Sequence, residues 1–95
     1  MIKVVANETL KEGTKDKVLN LLDEMIEKTR QEDGCIAYEL YEDINKPNTL
    51  AFIEEWESMD KLKAHFESEH FKRIIPQVAE YKAQDDPVGV YKKIK

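Results

Sequence analysis

The chain has 95 residues, 37% of them charged, and a formal net charge of −5. That length suits one domain with one modest core, burying roughly 60–68% of the surface that the unfolded chain exposes. The lysines are scattered with no basic, aromatic-interleaved cluster, which argues against nucleic acid, and no apolar run nears the ~20 residues of a membrane span. The N-terminal stretch Met1 to Leu10 has no basic region followed by a long apolar core, so it does not read as a signal peptide. The single cysteine, Cys35, cannot form an internal disulfide; it reads as a small core residue in a reducing, cytoplasmic protein.

Ile2 to Leu10 is the first predicted strand. Ile2, Val4 and Ala6 share one face, and Lys3, Val5 and Asn7 share the other. Asparagine is depleted in strands, so Asn7 reads either as a strand end or as a donor and acceptor aimed into a pocket. Lys11-Glu12-Gly13 is a turn and Thr14 an N-cap candidate. Lys15 to Glu32 reads as a helix whose inner stripe is Val18, Leu21, Leu22, Met25 and Thr29, flanked by Leu19 and Ile26. Asp33-Gly34 ends it, with Gly34 suited to a left-handed C′ position.

Cys35 to Ile44 is the second strand. Its alternation puts Ile36, Tyr38 and Leu40 on one face and Cys35, Ala37, Glu39 and Tyr41 on the other. The turn Asn45-Lys46-Pro47-Asn48 predicts an antiparallel hairpin with the third strand. On that strand Leu50, Phe52, Glu54 and Trp56 share a face opposite Ala51, Ile53 and Glu55. Ser58 then offers a helix cap, and Asp60 suits the positive end of the helix dipole. Met59, Leu62 and Phe66 form one apolar stripe; Phe71, Ile74, Ile75 and Val78 form a second, pointing well over 90° away at about 100° per residue. One straight helix cannot bury both, so a break is predicted near Ser68, close to His65 and His70. Pro76 is expected to break the second piece or to start a short third one. Gln84 to Pro87 is a loop, and Val88 to Ile94 the last strand.

The order β-α-β-β-α-β predicts an α+β, ferredoxin-like domain over residues 1–95, with two helices covering one face of a four-stranded sheet. The second and third strands are apolar on both faces, so the uncovered face predicts a homodimer packed sheet to sheet. Glu54, if buried, needs a partner such as Arg73, Lys72 or a histidine. His65 and Glu69 are spaced to share a helix face, but two ligands are too few for a stable zinc site, and no metal is expected. There is no glycine-rich phosphate loop.

The segment Glu32 to Phe71 resembles the antibiotic-biosynthesis-monooxygenase domain family, closest to its small quinol-monooxygenase-like members. The resembling features are Gly34-Cys35 followed by Tyr38, the Glu-x-Trp of Glu54 and Trp56, then His65, Ser68 and His70-Phe71. The resemblance implies a dimeric α+β barrel with one pocket per subunit between sheet and helices. It implies oxygenation of an electron-rich phenol or quinol by molecular oxygen, with no cofactor. On that pattern His65 is the candidate base and Asn7 orients a substrate oxygen. Trp56, Glu54, Tyr38, Phe52, Phe66 and His70 are the candidate substrate-binding residues. Other relatives isomerise a small phosphorylated ketone, which needs a proton shuttle and no oxygen, and a non-catalytic small-molecule-binding dimer is a further reading. A haem-degrading branch uses an asparagine on the first strand, which Asn7 matches. Its tryptophan and iron-ligating histidine fall near His65 and Ile75 here, so haem is not expected.

Overall fold

A computed structural model describes residues 1–95. In chain order the elements are β1 (Ile2–Thr9), α1 (Lys15–Arg30), β2 (Cys35–Glu42), β3 (Thr49–Trp56), α2 (Met59–Phe66), α3 (Glu69–Ala79) and β4 (Val88–Lys92). The four strands form one antiparallel sheet in the order β2-β3-β1-β4. The helices pack on one face of it, giving the α+β, ferredoxin-like arrangement. No helix is long and apolar enough to cross a membrane.

The core lies between that sheet face and the helices. Leu50, Phe52, Glu54 and Trp56 of β3 are buried in alternation with half-buried Ala51, Ile53 and Glu55. Val4 of β1 and Tyr38 of β2 flank them, paired by register with Glu54 on either side. From the helices come Val18, Leu22 and Met25, then Leu62, then Ile74 and Val78. The inner stripe of α1 is as its spacing predicts, although Leu21 is only half-buried.

The break between the second and third helices falls where the two stripes require it. Ser58 caps α2 by accepting from the Lys61 N–H, and Ser68 caps α3 by accepting from the Phe71 N–H. α2 buries Leu62 and His65, and α3 buries Ile74 and Val78. Pro76, by contrast, does not break α3, which runs on to Ala79. The proline removes one backbone donor in the middle of an amphipathic helix. Burial of Ile74 and Val78 on either side holds the helix together, and the Gln77 side-chain amide donates to the Arg73 carbonyl at 3.0 Å.

Four further expectations are corrected. Thr14 does not cap α1 through its side chain; its hydroxyl donates instead to the Lys11 carbonyl at 2.7 Å. α1 stops at Arg30 rather than Glu32, so Glu32 lies in the turn that Gly34, at φ +88°, completes. A β-bulge between Cys35 and Ala37 resets the start of β2, so that Cys35 pairs with Trp56 and Ala37 with Glu55. Cys35 therefore joins the helix-facing side with Tyr38, and Ile36 is left 49% exposed. Burial pushes the Cys35 thiol up to about 11, which leaves it protonated and unreactive. β4 also ends at Lys92, two residues before the predicted Ile94.

Candidate active site

The inner face of the sheet does not meet α2 and α3 everywhere. Between them lies a cavity of about 230 Å³. Val4, Ala6 and Glu8 of β1, Tyr38 of β2, and Phe52 and Glu54 of β3 form its floor. His65, Phe66, Phe71, Ile75 and Val78 form its roof, and Lys82, Asp85 and Val88 its rim.

His65, in the last turn of α2, is 1% exposed. Its ring sits 4.7 Å from that of Trp56, 5.1 Å from Phe71 and 5.6 Å from Tyr38, centroid to centroid. Its Nδ1 lies 2.7 Å from Oε2 of Glu32. A carboxylate only accepts, so Nδ1 carries the proton and the other nitrogen, Nε2, is left as the basic one. The Nε2 of His70 donates to the same Glu32 oxygen, also at 2.7 Å. Ser68 stitches the cluster: its hydroxyl donates to the His65 carbonyl at 2.7 Å, accepts from the Phe71 N–H, and stands 3.3 Å from His70 Nε2. The helix break thus brings both histidines to one carboxylate.

Burial holds the pKa of His65 below its ordinary value, against the opposing pull of Glu32, so the ring is neutral near neutral pH. Glu54 is shifted the other way. It is 5% exposed, and burial pushes its carboxyl up to about 7 although the Trp56 indole N–H donates to it at 2.9 Å. Glu8 is likewise raised by burial, and Lys82 pairs with it at 3.0 Å. Lys82 also reaches Asp86 at 3.7 Å, which ties the loop before β4 to the rim. Burial raises the Tyr38 phenol too, so it remains a hydrogen-bond donor.

The structure therefore brings His65, Glu54, Tyr38, Phe52 and Phe66 together around one cavity. It does not bring Asn7, Trp56 or His70 into that lining. Asn7 pairs with Ala51 on the opposite face of the sheet and is exposed. The strand period decides this, since Ala6 and Glu8 take the inward positions. Trp56 is fully buried behind the cavity, stacked on His65 and bonded to Glu54. His70 stands outside it with Glu32. The partners anticipated for Glu54 are also absent, as Arg73 is taken by Glu24 and Glu69. Sequence reasoning missed Glu32, Glu8 and Lys82. Glu8 had a signal, because it falls on the inward face of β1 with Val4 and Ala6. Glu32 had none, since its contacts lie 33 and 38 residues away.

A family model described as antibiotic biosynthesis monooxygenase matches residues 1–77. A Synechocystis protein named uncharacterized protein sll1783 is 31% identical over 91 residues, covering 96% of this chain and 62% of that one. The chain thus spans less than two thirds of that relative's length. A Mycobacterium tuberculosis protein named "Putative monooxygenase Rv0793" is 34% identical over 79 residues, 83% of this chain and 77% of that one. Its solved structure matches with a TM-score of 0.91 over 99% of this chain and 95% of that one, at 31% identity. A solved structure described as an antibiotic biosynthesis monooxygenase is 39% identical and matches with a TM-score of 0.95 over the whole of both chains.

Proposed function

The chain belongs to the antibiotic biosynthesis monooxygenase family, and from that premise we propose that it oxygenates a small quinol or phenol with molecular oxygen and no bound cofactor. One observation carries the reading: an aromatic-walled cavity holds a buried histidine whose Nδ1 is pinned by Glu32, leaving Nε2 as the basic nitrogen. The cavity volume of about 230 Å³ lies below the ~300–1,000 Å³ of drug-sized sites, which favours a substrate of one or two fused rings.

The chemistry follows from those groups. Nε2 of His65 takes the phenolic proton, and Glu32 stabilises the imidazolium that results. The phenolate passes one electron to oxygen, and the radical pair joins at a ring carbon bearing hydrogen. His65 returns its proton to the peroxide oxygen. Loss of water then leaves a carbonyl on that carbon. One oxygen atom enters the substrate and the other leaves as water, the substrate supplying all four electrons. Glu54, protonated in part near neutral pH, donates to the substrate oxygen that becomes negative. Tyr38, Phe52 and Phe66 hold the ring.

The same residues weigh against a phosphorylated ketone. Glu8, Glu54 and Asp85 face the cavity, and its one cation, Lys82, is already paired. A dianionic phosphate has no place to bind there, whereas a neutral phenol does. Two copies are proposed to pair through the outer sheet face, where half-buried Val5 and Ile53 lie among exposed Tyr41 and Tyr91.

The test is oxygen uptake by metal-free protein against hydroquinones and naphthalenediols, with autoxidation subtracted. Enzyme-dependent uptake that His65→Ala abolishes supports the reading. No uptake above background, with tight binding of the same compounds, would leave a binding protein instead.

A further inference from the structure

We propose that Glu32, His65 and His70 form a binding site for a divalent transition-metal cation of the zinc type. Each residue offers one ligand atom, and the three atoms lie within 4.8 Å of one another. They are Oε2 of Glu32, Nδ1 of His65 and Nε2 of His70, and both nitrogens stand 2.7 Å from the one oxygen. Two imidazoles and a carboxylate are a ligand set that zinc, cobalt, nickel and copper all accept.

The arrangement is built into the fold rather than scattered over a surface. Glu32 comes from the turn after α1, His65 from the last turn of α2 and His70 from the first turn of α3. Their side chains are 15%, 2% and 12% exposed. The Ser68 cap fixes the angle between the two helices, and its hydroxyl also stands beside His70. Without a cation, two N–H donors converge on one carboxylate oxygen. With one, each imidazole carries its proton on the other ring nitrogen, Nε2 in His65 and Nδ1 in His70, and the ion sits between the lone pairs so freed and the carboxylate. Ligand atoms around a tetrahedral ion with bonds of ~2.0–2.1 Å lie ~3.3 Å apart. The two nitrogen–oxygen separations of 2.7 Å must therefore lengthen, and Glu32, on a turn and partly exposed, is the one free to move. Three protein ligands leave one position of a tetrahedral ion for water or another small ligand.

The site lies behind His65, away from the cavity lining, and uses Nδ1 rather than Nε2. Occupancy does not require substrate, so binding is measured separately from turnover. If His65 acts as the base proposed above, the ion on Nδ1 places the ring proton on Nε2 and so removes the basic nitrogen.

Chelator-treated, untagged protein is titrated with zinc chloride by calorimetry and with cobalt chloride by visible absorption and by fluorescence of Trp56. That residue is the sole tryptophan, with its ring 4.7 Å from the His65 ring. One ion per chain is expected, with cobalt giving the bands of a low-coordinate site and quenching the indole. His70→Gln and Glu32→Gln each weaken zinc at least about tenfold, the loss that even outer partners of a metal site produce. Glu69→Gln, one helical turn after His65 and engaged with Arg73, leaves binding unchanged. Circular dichroism of each variant confirms folding. Absence of saturable heat, or zinc binding that survives both His70→Gln and Glu32→Gln in folded protein, overturns the proposal. Because oxygen uptake is measured without metal, either proposal can fail while the other stands.

Discussion

Replacing Glu54 by Gln tests whether the cavity is as dry as its lining implies. The carboxyl is 5% exposed, and burial lifts it from an ordinary value of 4.5 to about 7. Below pH 4.5 both folded and unfolded chains hold the proton, so the group contributes no pH dependence. Between 4.5 and 7 the folded chain keeps a proton that the unfolded chain has released, and stability falls as pH rises. The full loss, reached above pH 7, is about 3 kcal/mol for a shift of roughly 2.5 units at 1.36 kcal/mol each. Glutamine keeps an oxygen for the Trp56 indole and cannot ionise. The variant should match the parent near pH 4 and exceed it by about 3 kcal/mol near pH 8, a Tm gain of roughly 12–24 °C for a domain of this size. His65, held below its ordinary pKa, produces the opposite trend: its contribution is lost as pH falls through the ordinary histidine value. It does so in both proteins and cancels in the difference. The assay is thermal and urea unfolding at fixed protein concentration, so that any association enters equally. A variant-minus-parent difference equal at both pH values would refute the buried, proton-holding carboxyl.

Three other expectations are open to direct measurement. Glu32→Gln should lower kcat by at least about tenfold with little change in KM, a part of the ~10²–10⁴ that a positioned base contributes. It should also move the acid limb of the rate profile down, because Glu32 raises the pKa of His65. Gly34→Ala should cost at least about 1 kcal/mol in urea unfolding, since Gly34 has φ +88° and an added Cβ would overlap the Lys61 side chain. Ile53→Lys, on the outer sheet face, should give a monomer by sedimentation where the parent sediments as a dimer; a parent that is monomeric at micromolar concentration would refute sheet-to-sheet pairing.

The path of the backbone was legible because it rests on local periods. Two apolar stripes pointing apart along one helical stretch demand a break, and Ser68 supplies it. The alternation of β3 puts Leu50, Phe52, Glu54 and Trp56 on one face, and that face is the buried one. Errors arose where one residue shifts a period or where distant residues meet. The bulge after Cys35 exchanged Cys35 for Ile36 on the inner face, and no residue type there announces a bulge. The resemblance gives Asn7 a pocket role, but its strand parity with Lys3 and Val5 sets it on the outer face, paired with Ala51. The apolar spacing carries the first helix on to Glu32. Its role depends on where α1 stops and on how α2 and α3 fold back over it, which no local pattern encodes.

In the proposed oxygenation, the opposite shifts of His65 and Glu54 in one cavity would divide the chemical roles between them. Environments that push two titratable groups apart are the usual mark of an acid and a base sharing a site. His65 is lowered, so it is a neutral acceptor across the range above its pKa. Glu54 is raised to about 7, so it is a donor only below that. Both conditions are met between the pKa of His65 and about 7, and kcat should follow a bell. The acid limb, where His65 gains its proton, lies below the ordinary histidine value of 6.5. The basic limb, where Glu54 loses its proton, lies near 7. Glu54→Gln separates them, because an amide donates at every pH. That variant should keep the acid limb and lose the basic one, holding its rate on a plateau up to the pH where free phenolate autoxidises. A basic limb that persists in Glu54→Gln would assign it to the substrate phenol instead, and His65 would then act on a substrate that no carboxyl assists.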